Sequence, residues 1–252
     1  MKTPIASSPR FTTSPKTFAS RINRRSEAHR PMNHTFYTSV GKRALDVTLA
    51  LPGLIVLLPL FLIAGAAVRI TSRGPAFFRQ VRVGQHEKPF RIFKFRTMYQ
   101  RTESIEREAF LTAAGDPRIT PVGRWLRKTK VDELPQLINV LLGDMSMVGP
   151  RPEVAAYTDT YNERQRAILA AKPGVTGPSA NVHEEELIAS HPDKDNFYLT
   201  TVMPAKLEID IEYCENIHFA SDVRQIVRTV ATVLGKIMEA YKPRLRTSPK
   251  QI

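Results

Sequence analysis

The longest uninterrupted apolar stretch of the sequence runs from Val47 to Val68 and reads VTLALPGLIVLLPLFLIAGAAV, without a charged residue. About 20 such residues are enough for a helix to cross the hydrocarbon part of a bilayer. The alternative is a helix buried in a protein core. The length of the stretch and the lack of any polar face argue against that alternative. The pattern therefore predicts a helix inserted in a membrane.

The path of this segment through the membrane is a separate question. Pro59 lies near its middle, lacks a backbone donor and clashes with the preceding turn, so it favours a break in the helix. Basic residues flank both ends, with Lys42 and Arg43 before the segment and Arg69 and Arg73 after it. A simple span should carry its basic excess on one side. The flanks favour a re-entrant helix that enters and leaves on the cytoplasmic face, although proline-kinked spanning helices exist.

The rest of the chain predicts a short β-hairpin and several helices. Phe77–Val83 and Phe90–Phe95 alternate apolar and basic residues, which predicts two strands around a turn at Gly84–Pro89. Residues 99–114 are compatible with a helix, residues 115–117 predict a turn, and residues 173–178 predict a turn-rich loop. Apolar periodicity predicts a short amphipathic piece at 123–129 and helices at 132–142, 153–171, 204–213 and 222–241. The apolar stripe of the last helix favours core packing, with membrane-surface contact as the alternative.

Composition and charge divide the chain into three parts. Residues 1–36 form a basic, Ser/Thr/Pro-rich tail that predicts disorder, residues 37–242 form the membrane-associated domain, and residues 243–252 form a flexible basic end. The net charge of +13 over 252 residues indicates a polyanionic partner, which could be nucleic acid, an anionic membrane or a phosphorylated substrate. A single cysteine, Cys214, excludes a disulfide framework and a cysteine metal cluster.

Two adjacent carboxylates, Asp132 and Glu133, stand at the predicted start of a helix and follow Arg127, Lys128 and Lys130. Such a pair alone is usually explained by capping and by compensation of the helix dipole. Neighbouring carboxylates can also hold magnesium, which prefers oxygen ligands and phosphate. A carboxylate can in addition attack phosphorus and form an acyl phosphate. The pair is therefore a candidate for phosphate chemistry with metal assistance.

Arg151 stands between Pro150 and Pro152 in the segment GDMSMVGPRP. The two prolines restrict the backbone and could fix the direction of the guanidinium group. A fixed arginine fork suits bidentate phosphate binding, whereas the simpler interpretation is a structural loop with an incidental arginine.

Several motifs in one order resemble the bacterial sugar transferases, also called monotopic phosphoglycosyl transferases. They are KRALD at 42–46, the proline-broken apolar stretch, GPAFFRQVRVG at 74–84, FKFRTM at 93–98, the long segment from DPRITPVGRW to GPRPE at 116–153, and KPGVTG at 172–177. A set of motifs in a fixed order is far more specific than any one of them.

The resemblance implies an α/β, mainly helical fold with one re-entrant membrane helix, amphipathic interface helices and a short β-hairpin. It implies transfer of a sugar 1-phosphate from a UDP-sugar to undecaprenyl phosphate, with release of UMP. That reaction is the first membrane step of exopolysaccharide, capsule, O-antigen or glycoprotein glycan synthesis. The implied location is the bacterial inner membrane, with membrane lipid as a partner and the active site on the cytoplasmic face. A homo-oligomer is compatible with it.

The resemblance also assigns roles by position. Asp132 would be the nucleophile that attacks the β-phosphate, and Glu133 would position magnesium or accept a proton. Asp132 and Glu133 would be the metal ligands, with Mg²⁺ as the cofactor. Pro59 matches the helix-breaking proline of the family. Basic residues would bind the phosphates of the donor and the lipid: Lys94, Arg96, Arg127 and Arg151.

The chain departs from the commoner family pattern after Gly177, where PSANVHEEELIASHPDKDNFYLTT replaces the usual continuation. The sugar inferred from better-known members is therefore in doubt. The main rival interpretation is a basic, membrane-tethered binding or scaffold protein without catalysis. Only charge supports that rival, and it leaves the motif order from Lys94 to Arg151 unexplained. No nucleic-acid partner is therefore expected.

Overall fold

A computed structural model describes residues 35–99, 115–181 and 191–241 of the chain. The predicted N-terminal tail lies outside the described residues except at its last two positions. The helix-compatible stretch at 99–114 lies outside them after Tyr99, and the flexible C-terminus at 243–252 lies wholly outside them.

The predicted membrane segment is a single long helix. Helix α1 spans Lys42–Thr71 and follows a π-helical turn at Tyr37–Gly41. It is long and apolar enough to cross a membrane by length and composition. The helical backbone continues through Pro52 and Pro59. A re-entrant path would therefore arise from a bend within a continuous helix, and the break expected at Pro59 stays a prediction.

Helix α1 has two apolar faces with different surroundings. Asp46, Ala50, Phe61, Ala64 and Val68 recur at helical spacing and are buried against the rest of the protein. The opposite face is exposed over nearly the whole helix, at Leu49, Leu51, Ile55, Val56, Leu58, Leu62, Ile63 and Ile70. Because both faces are apolar, the sequence pattern shows no polar side, and only the packing separates them.

Buried polar contacts fix the N-terminal half of helix α1 to the rest of the fold. Lys42 Nζ lies 2.5 Å from an oxygen of Asp222, whose carboxylate is fully buried. Arg43 donates to the carbonyl of Val140 at 2.5 Å. Asp46 accepts from the Ser146 hydroxyl at 2.9 Å. The charged start of the apolar helix is therefore part of the protein core.

The predicted hairpin is present. Strands β1 (Phe77–Val83) and β2 (Pro89–Phe95) pair antiparallel, with Phe78 opposite Lys94. Downstream, strands β3 (Ser146–Val148) and β4 (Gly174–Thr176) form a second, parallel pair. The remaining helices are α2 (Pro121–Thr129), α3 (Gln136–Leu142), α4 (Ala155–Thr158), α5 (Glu163–Arg166), α6 (Lys194–Phe197), α7 (Met203–Glu215) and α8 (Phe219–Tyr241).

Three sequence-based boundaries were wrong. The helix predicted at 132–142 begins at Gln136, because Val131–Glu133 forms a separate 3₁₀ turn. The helix predicted at 153–171 is divided into α4, α5 and a 3₁₀ turn, since Asn162 forms a capping box that starts a new helix. The loop predicted at 173–178 contains strand β4, whose partner strand is distant in sequence.

Two hydrophobic clusters support the region around the turn Val131–Glu133. One joins the inner face of α1 to β2 and α3 through Ala50, Ile92, Leu137, Val140 and Met145. The other joins α1 to α2 through Phe61, Val68, Phe95, Leu126 and Val131. The turn Val131–Glu133 lies between α2 and α3 in sequence and contributes Val131 to the second cluster. A third cluster surrounds α7 and includes Cys214, whose thiol is buried in the core.

Candidate active site

Asp132 and Glu133 lie on a short 3₁₀ turn and not on the first turn of a long helix. Helix α2 ends at Thr129, and Lys130 adopts a left-handed conformation with φ of 60°. This conformation reverses the chain and starts the turn Val131–Glu133. Asp132 is buried, and its Oδ1 atom has no hydrogen-bond partner. A buried, unpartnered carboxylate oxygen is rare in native proteins and indicates a position prepared for a ligand or for chemistry.

The two carboxylates have opposite ionisation behaviour. Burial raises the pKa of Asp132 to about 6, and the negative charge of Glu133 adds to the effect, against the cations Lys94, Lys130 and Arg127. Burial also acts on Glu133, but Lys94 and Arg151 hold the pKa of Glu133 well below its usual range. Glu133 is therefore firmly ionised at neutral pH, which makes it a poor proton acceptor. Asp132 is ionised at neutral pH but becomes neutral under mildly acidic conditions.

Glu133 is the centre of a cluster with two cations. Lys94 Nζ donates to Glu133 Oε1 at 2.8 Å, and Arg151 Nη2 lies 3.5 Å from the same oxygen. The side chains of Lys94 and Glu133 are 18% and 15% exposed, so the pair is only partly screened by water. Burial lowers the pKa of Lys94, whereas Glu133 opposes that shift. The cluster presents two cationic groups beside Asp132, as a diphosphate would require.

Asn139 connects strand β2, which carries Lys94, to helix α3, which follows Asp132 and Glu133. Its Oδ1 accepts from the backbone N–H of Phe93 at 2.9 Å, and its Nδ2 donates to the carbonyl of Arg91 at 2.8 Å. Asn139 is fully buried on α3. These bonds fix the register between β2 and α3, and thereby the distance from Lys94 to Glu133.

The loop that carries Arg151 is fixed by close backbone contacts. Gly149 donates to the carbonyl of Thr176 at 2.9 Å, and Gly174 donates to the carbonyl of Pro150 at 2.9 Å. A Cβ atom on Gly149 would lie 2.3 Å from the carbonyl oxygen of Lys172. Glycine is therefore required at position 149. This close contact fixes the start of the loop from Pro150 to Pro152.

Of the seven predicted site residues, the structure brings four together, links Arg127 to them through its charge, and separates Arg96 and Pro59 from them. Asp132, Glu133, Lys94 and Arg151 form one cluster, as described above. Arg127 lies on α2 and acts on Asp132 through its charge. Arg96 instead donates to the carbonyl of Ser72 at 2.7 Å, at the C-terminal end of α1. The family resemblance implied that Arg96 binds phosphate, but the chain leaves strand β2 after Phe95. Pro59 belongs to α1 and not to this cluster.

The fit of magnesium can be judged from the oxygen donors near Asp132. No group of three or more His, Cys, Asp or Glu side chains that could hold a metal occurs within the described ranges. Asp132 offers one unpartnered carboxylate oxygen, and Glu133 offers a second carboxylate that also binds Lys94. Magnesium is commonly bound by one or two carboxylates together with phosphate and water. The donors present therefore fit magnesium delivered with a phosphorylated substrate.

Two residues near this cluster were not identified from the sequence. Asn139 has the signal of a polar side chain among the apolar positions of α3, which fits a buried structural amide. Asp210 has a similar signal, because it interrupts the apolar positions Leu207, Ile211 and Cys214 on α7 and is itself buried. Neither signal distinguishes a structural polar residue from a functional one.

The sequence profile described as "Bacterial sugar transferase" matches residues 37–236. The UDP-glucose:undecaprenyl-phosphate glucose-1-phosphate transferase of Caulobacter vibrioides is 38% identical over 196 residues, which cover 77% of this chain and 69% of that protein.

Two further relatives are longer than the matched region. The UDP-N-acetylgalactosamine-undecaprenyl-phosphate N-acetylgalactosaminephosphotransferase of Aeromonas hydrophila is 35% identical over 77% of this chain and 43% of its own length. The UDP-glucose:undecaprenyl-phosphate glucose-1-phosphate transferase of Escherichia coli is 36% identical over 75% of this chain and 39% of its own length. The chain thus spans less than half of either relative.

Proposed function

Because the chain belongs to the bacterial sugar transferase family, we propose that it transfers a sugar 1-phosphate from a UDP-sugar to undecaprenyl phosphate and releases UMP. The names of its relatives support this donor and acceptor class. Those names differ in the sugar, which is glucose in two relatives and N-acetylgalactosamine in the third. The proposal therefore extends to UDP-sugars as a class. The product would begin the assembly of a surface glycan.

The observation that carries the proposal is the buried carboxylate of Asp132 beside the cations of the cluster. Its Oδ1 atom has no partner, so it does not have to break a hydrogen bond before it reacts. Glu133 holds Lys94 at 2.8 Å and lies within 3.5 Å of Arg151, so two cations are already collected next to the nucleophile. A site that is organised before the substrate binds loses little free energy to reorganisation during the reaction.

In the first step, the ionised Asp132 attacks the β-phosphorus of the UDP-sugar. A bond forms between the carboxylate oxygen and phosphorus, and the bond from phosphorus to the oxygen shared with the α-phosphate breaks. That oxygen and its electron pair leave as UMP. Lys94 and Arg151 bind the phosphate oxygens and stabilise the charge that develops in the transition state. Magnesium, when bound, would neutralise charge on the diphosphate and on the leaving UMP.

In the second step, an oxygen of the lipid phosphate attacks the same phosphorus. The bond to Asp132 breaks, the carboxylate is restored, and the product is a polyprenyl diphosphosugar. Arg127 acts on Asp132 through its charge and is suited to bind the incoming phosphate. Because UMP leaves before the lipid reacts, the kinetics should be of the ping-pong type.

The exposed face of α1 is the proposed membrane contact. Its inner face is packed against the protein from Asp46 to Val68, which leaves no free run of about 20 residues to cross a bilayer away from the protein. The packing therefore favours a helix that enters the membrane and stays beside the catalytic residues. We place the active site at the cytoplasmic surface, where UDP-sugars are found.

The direct test is Asp132→Asn. This change keeps the side-chain shape and removes the nucleophile, so UMP release in the presence of a UDP-sugar, undecaprenyl phosphate and magnesium should fall to background. Because burial disfavours the ionised carboxylate, the neutral amide should leave the melting temperature unchanged or higher. Wild-type protein mixed with donor alone should also retain one equivalent of phosphosugar, measurable by intact mass.

The control is Asp159→Asn, which changes an exposed acid after α4 and should leave the rate unchanged. Normal UMP release by Asp132→Asn would reject the nucleophile assignment. A wild-type protein that binds membranes but releases no UMP from any UDP-sugar would instead support the binding or scaffold interpretation.

A further inference from the structure

The C-terminal end of the loop that carries Arg151 is held by a buried acid that the proposed reaction does not use. Glu153 is 9% exposed. Its Oε1 atom accepts a hydrogen bond from the Tyr198 hydroxyl at 3.0 Å and lies 3.6 Å from Lys206 Nζ. Burial of a carboxylate is unfavourable unless hydrogen bonds and an opposite charge compensate it. Tyr198 and Lys206 therefore fix the position of this carboxylate.

Strand β1 holds the same end of the loop through separate contacts. The backbone N–H of Val83 donates to the carbonyl of Glu153 at 2.9 Å. Arg82 Nη1 donates to the carbonyl of Pro152 at 3.2 Å and lies 3.4 Å from Glu153 Oε2. The start of the loop is fixed by strand β4, as described above. Arg151 therefore lies between two anchored ends.

Tyr198 connects this anchor to a distant part of the chain. It belongs to the segment after Gly177, in which the sequence departs from the commoner family pattern. Its side chain is 1% exposed, and its ring packs against Tyr157 at a centroid distance of 5.1 Å. A tyrosine that is buried to this extent loses the water around its hydroxyl, so the hydroxyl needs a partner within the protein. The carboxylate of Glu153 is such a partner.

We propose that Tyr198 is a positioning residue that acts through Glu153 on Arg151. By fixing the Glu153 carboxylate, the Tyr198 hydroxyl restricts movement of the loop and keeps Arg151 Nη2 close to Glu133 Oε1, which lies 3.5 Å away. In the proposed reaction, on which this inference rests, the same restriction keeps the guanidinium group directed at the diphosphate. Tyr198 thereby links the divergent segment of the sequence to the active site.

The test is a double-mutant cycle of Tyr198→Phe with Arg151→Lys in the purified full chain. Phenylalanine keeps the buried ring and removes only the hydroxyl. This change should lower kcat/KM for UMP release by about fivefold, which is within the range of coupling between neighbouring groups. In the Arg151→Lys protein it should cost less than about twofold, because the arginine fork that the loop orients is already absent. A purely structural role would lower the melting temperature equally in both backgrounds and would leave no coupling in kcat/KM.

Tyr37→Phe is the matched control. The Tyr37 hydroxyl also donates to a buried carboxylate, at 2.6 Å, but its partner is Asp222 on α8. Any effect of this control on kcat/KM should be the same in the wild-type and in the Arg151→Lys background. If Tyr198→Phe is additive in the same way, the positioning role is wrong. If Tyr198→Phe does not fold, Glu153→Gln takes its place in the cycle and should show coupling of the same sign.

Amide hydrogen exchange gives a measurement that does not depend on the proposed reaction. A peptide that covers residues 146–153 should exchange faster in Tyr198→Phe than in the wild-type protein, whereas Tyr37→Phe should leave its exchange unchanged. Absence of UMP release by the wild-type protein would reject the proposed reaction, and the exchange measurement would then decide the role of Tyr198. Unchanged exchange in Tyr198→Phe would reject that role whether or not the protein releases UMP.

Discussion

Two opposing effects set the pKa of Asp132, and this pKa determines the pH range in which the carboxylate is ionised. Burial and the charge of Glu133 raise its pKa to about 6, while Lys94, Lys130 and Arg127 oppose the rise. A nucleophile must be ionised, but a fully stabilised carboxylate would react slowly. A pKa near 6 keeps Asp132 mostly ionised at neutral pH without surrounding its charge by hydrogen bonds.

We expect kcat/KM for UMP release to fall on acidification below about pH 6, by about tenfold per pH unit, because protonated Asp132 cannot attack. Glu133→Gln removes a negative charge that raises the pKa of Asp132. The acid limb of this variant should therefore move to lower pH, even if its maximal rate is reduced. The measurement is a pH profile of both proteins at saturating lipid. An acid limb that does not move would belong to a group other than Asp132.

At the residue scale, the sequence predicted much of this site, but it did not give the contacts. Asp132, Glu133, Lys94 and Arg151 were all identified, and the structure brings them together. The ion pair between Lys94 and Glu133 was not predicted, because the two residues are 39 positions apart in the chain. Arg96 was grouped with Lys94 by the family resemblance, but its guanidinium donates to the carbonyl of Ser72 at the end of α1.

At the element scale, the close approach of Gly149, directly after strand β3, to Gly174 of strand β4 determines where the loop of Arg151 begins. Gly149 and Gly174 are in direct backbone contact. A Cβ on Gly174 would lie 2.1 Å from the nitrogen of Gly149, and one on Gly149 would lie 2.8 Å from the nitrogen of Gly174. Backbone atoms cannot move aside as a flexible side chain can. This close backbone contact therefore tolerates only glycine at both positions.

Gly149→Ala should destabilise the protein by about 1–3 kcal/mol, because the added methyl group forces the two strands apart. It should also lower UMP release by displacing Arg151. The matched control is Gly235→Ala on α8, where no atom lies within 4 Å of the added Cβ. That control should raise stability by about 0.5–1 kcal/mol, since alanine is the better helix former. Thermal unfolding measures both. Equal stability of the two variants would contradict the close backbone contact between Gly149 and Gly174.

Elements with local signals were predicted, and elements with distant partners were not. The alternation of Phe77–Val83 and the proline and glycine around it were sufficient for the hairpin of β1 and β2. Strand β4 has three residues and pairs with a strand 28 positions earlier, as in Ser146 opposite Gly174, so no local pattern marks it. On α8, periodicity predicted core packing. Ile226 does pack against the core around α7, whereas Val227, Val230 and Leu234 are exposed.

At the scale of the whole molecule, the long helix α1 joins the candidate active site to the proposed membrane surface. Its inner face packs on β2, α2 and α3, which surround Asp132 and Lys94. Its outer face presents large apolar side chains that water solvates poorly, among them Val56, Leu62 and Ile63. Helix α1 therefore packs against the candidate active site with one face and, as proposed, contacts lipid with the other.

We expect cysteines placed at both ends of α1, in Ser39→Cys and in Thr71→Cys, to react with an impermeant maleimide from the cytoplasmic side only. Both positions are exposed, and the packing of the inner face keeps both ends beside the same protein body. Labelling is compared in intact cells and in inverted membrane vesicles. Reaction from opposite sides would show that the helix spans the bilayer.

The native Cys214 does not have to be removed for this experiment. It is buried on α7, and burial raises the pKa of its thiol to about 12, so little of the reactive thiolate forms. The unmodified protein should remain unlabelled while folded. Asp159→Cys, on the exposed surface of the body, reports the side on which the active site lies and should react together with both helix ends.

Because α1 belongs both to the hydrophobic core and to the proposed membrane contact, it cannot be deleted without loss of the fold. Membrane anchors are commonly deleted to obtain a soluble catalytic domain. Here, removal of residues 42–71 would also remove Ala50, Phe61, Ala64 and Val68 from two hydrophobic cores, and would expose Leu137, Val140 and Phe95. Asp222 would lose the cation it pairs with, Lys42. Such a truncation should aggregate and not dissolve, so solubility has to be sought by changing the outer face of the helix while its inner face is kept.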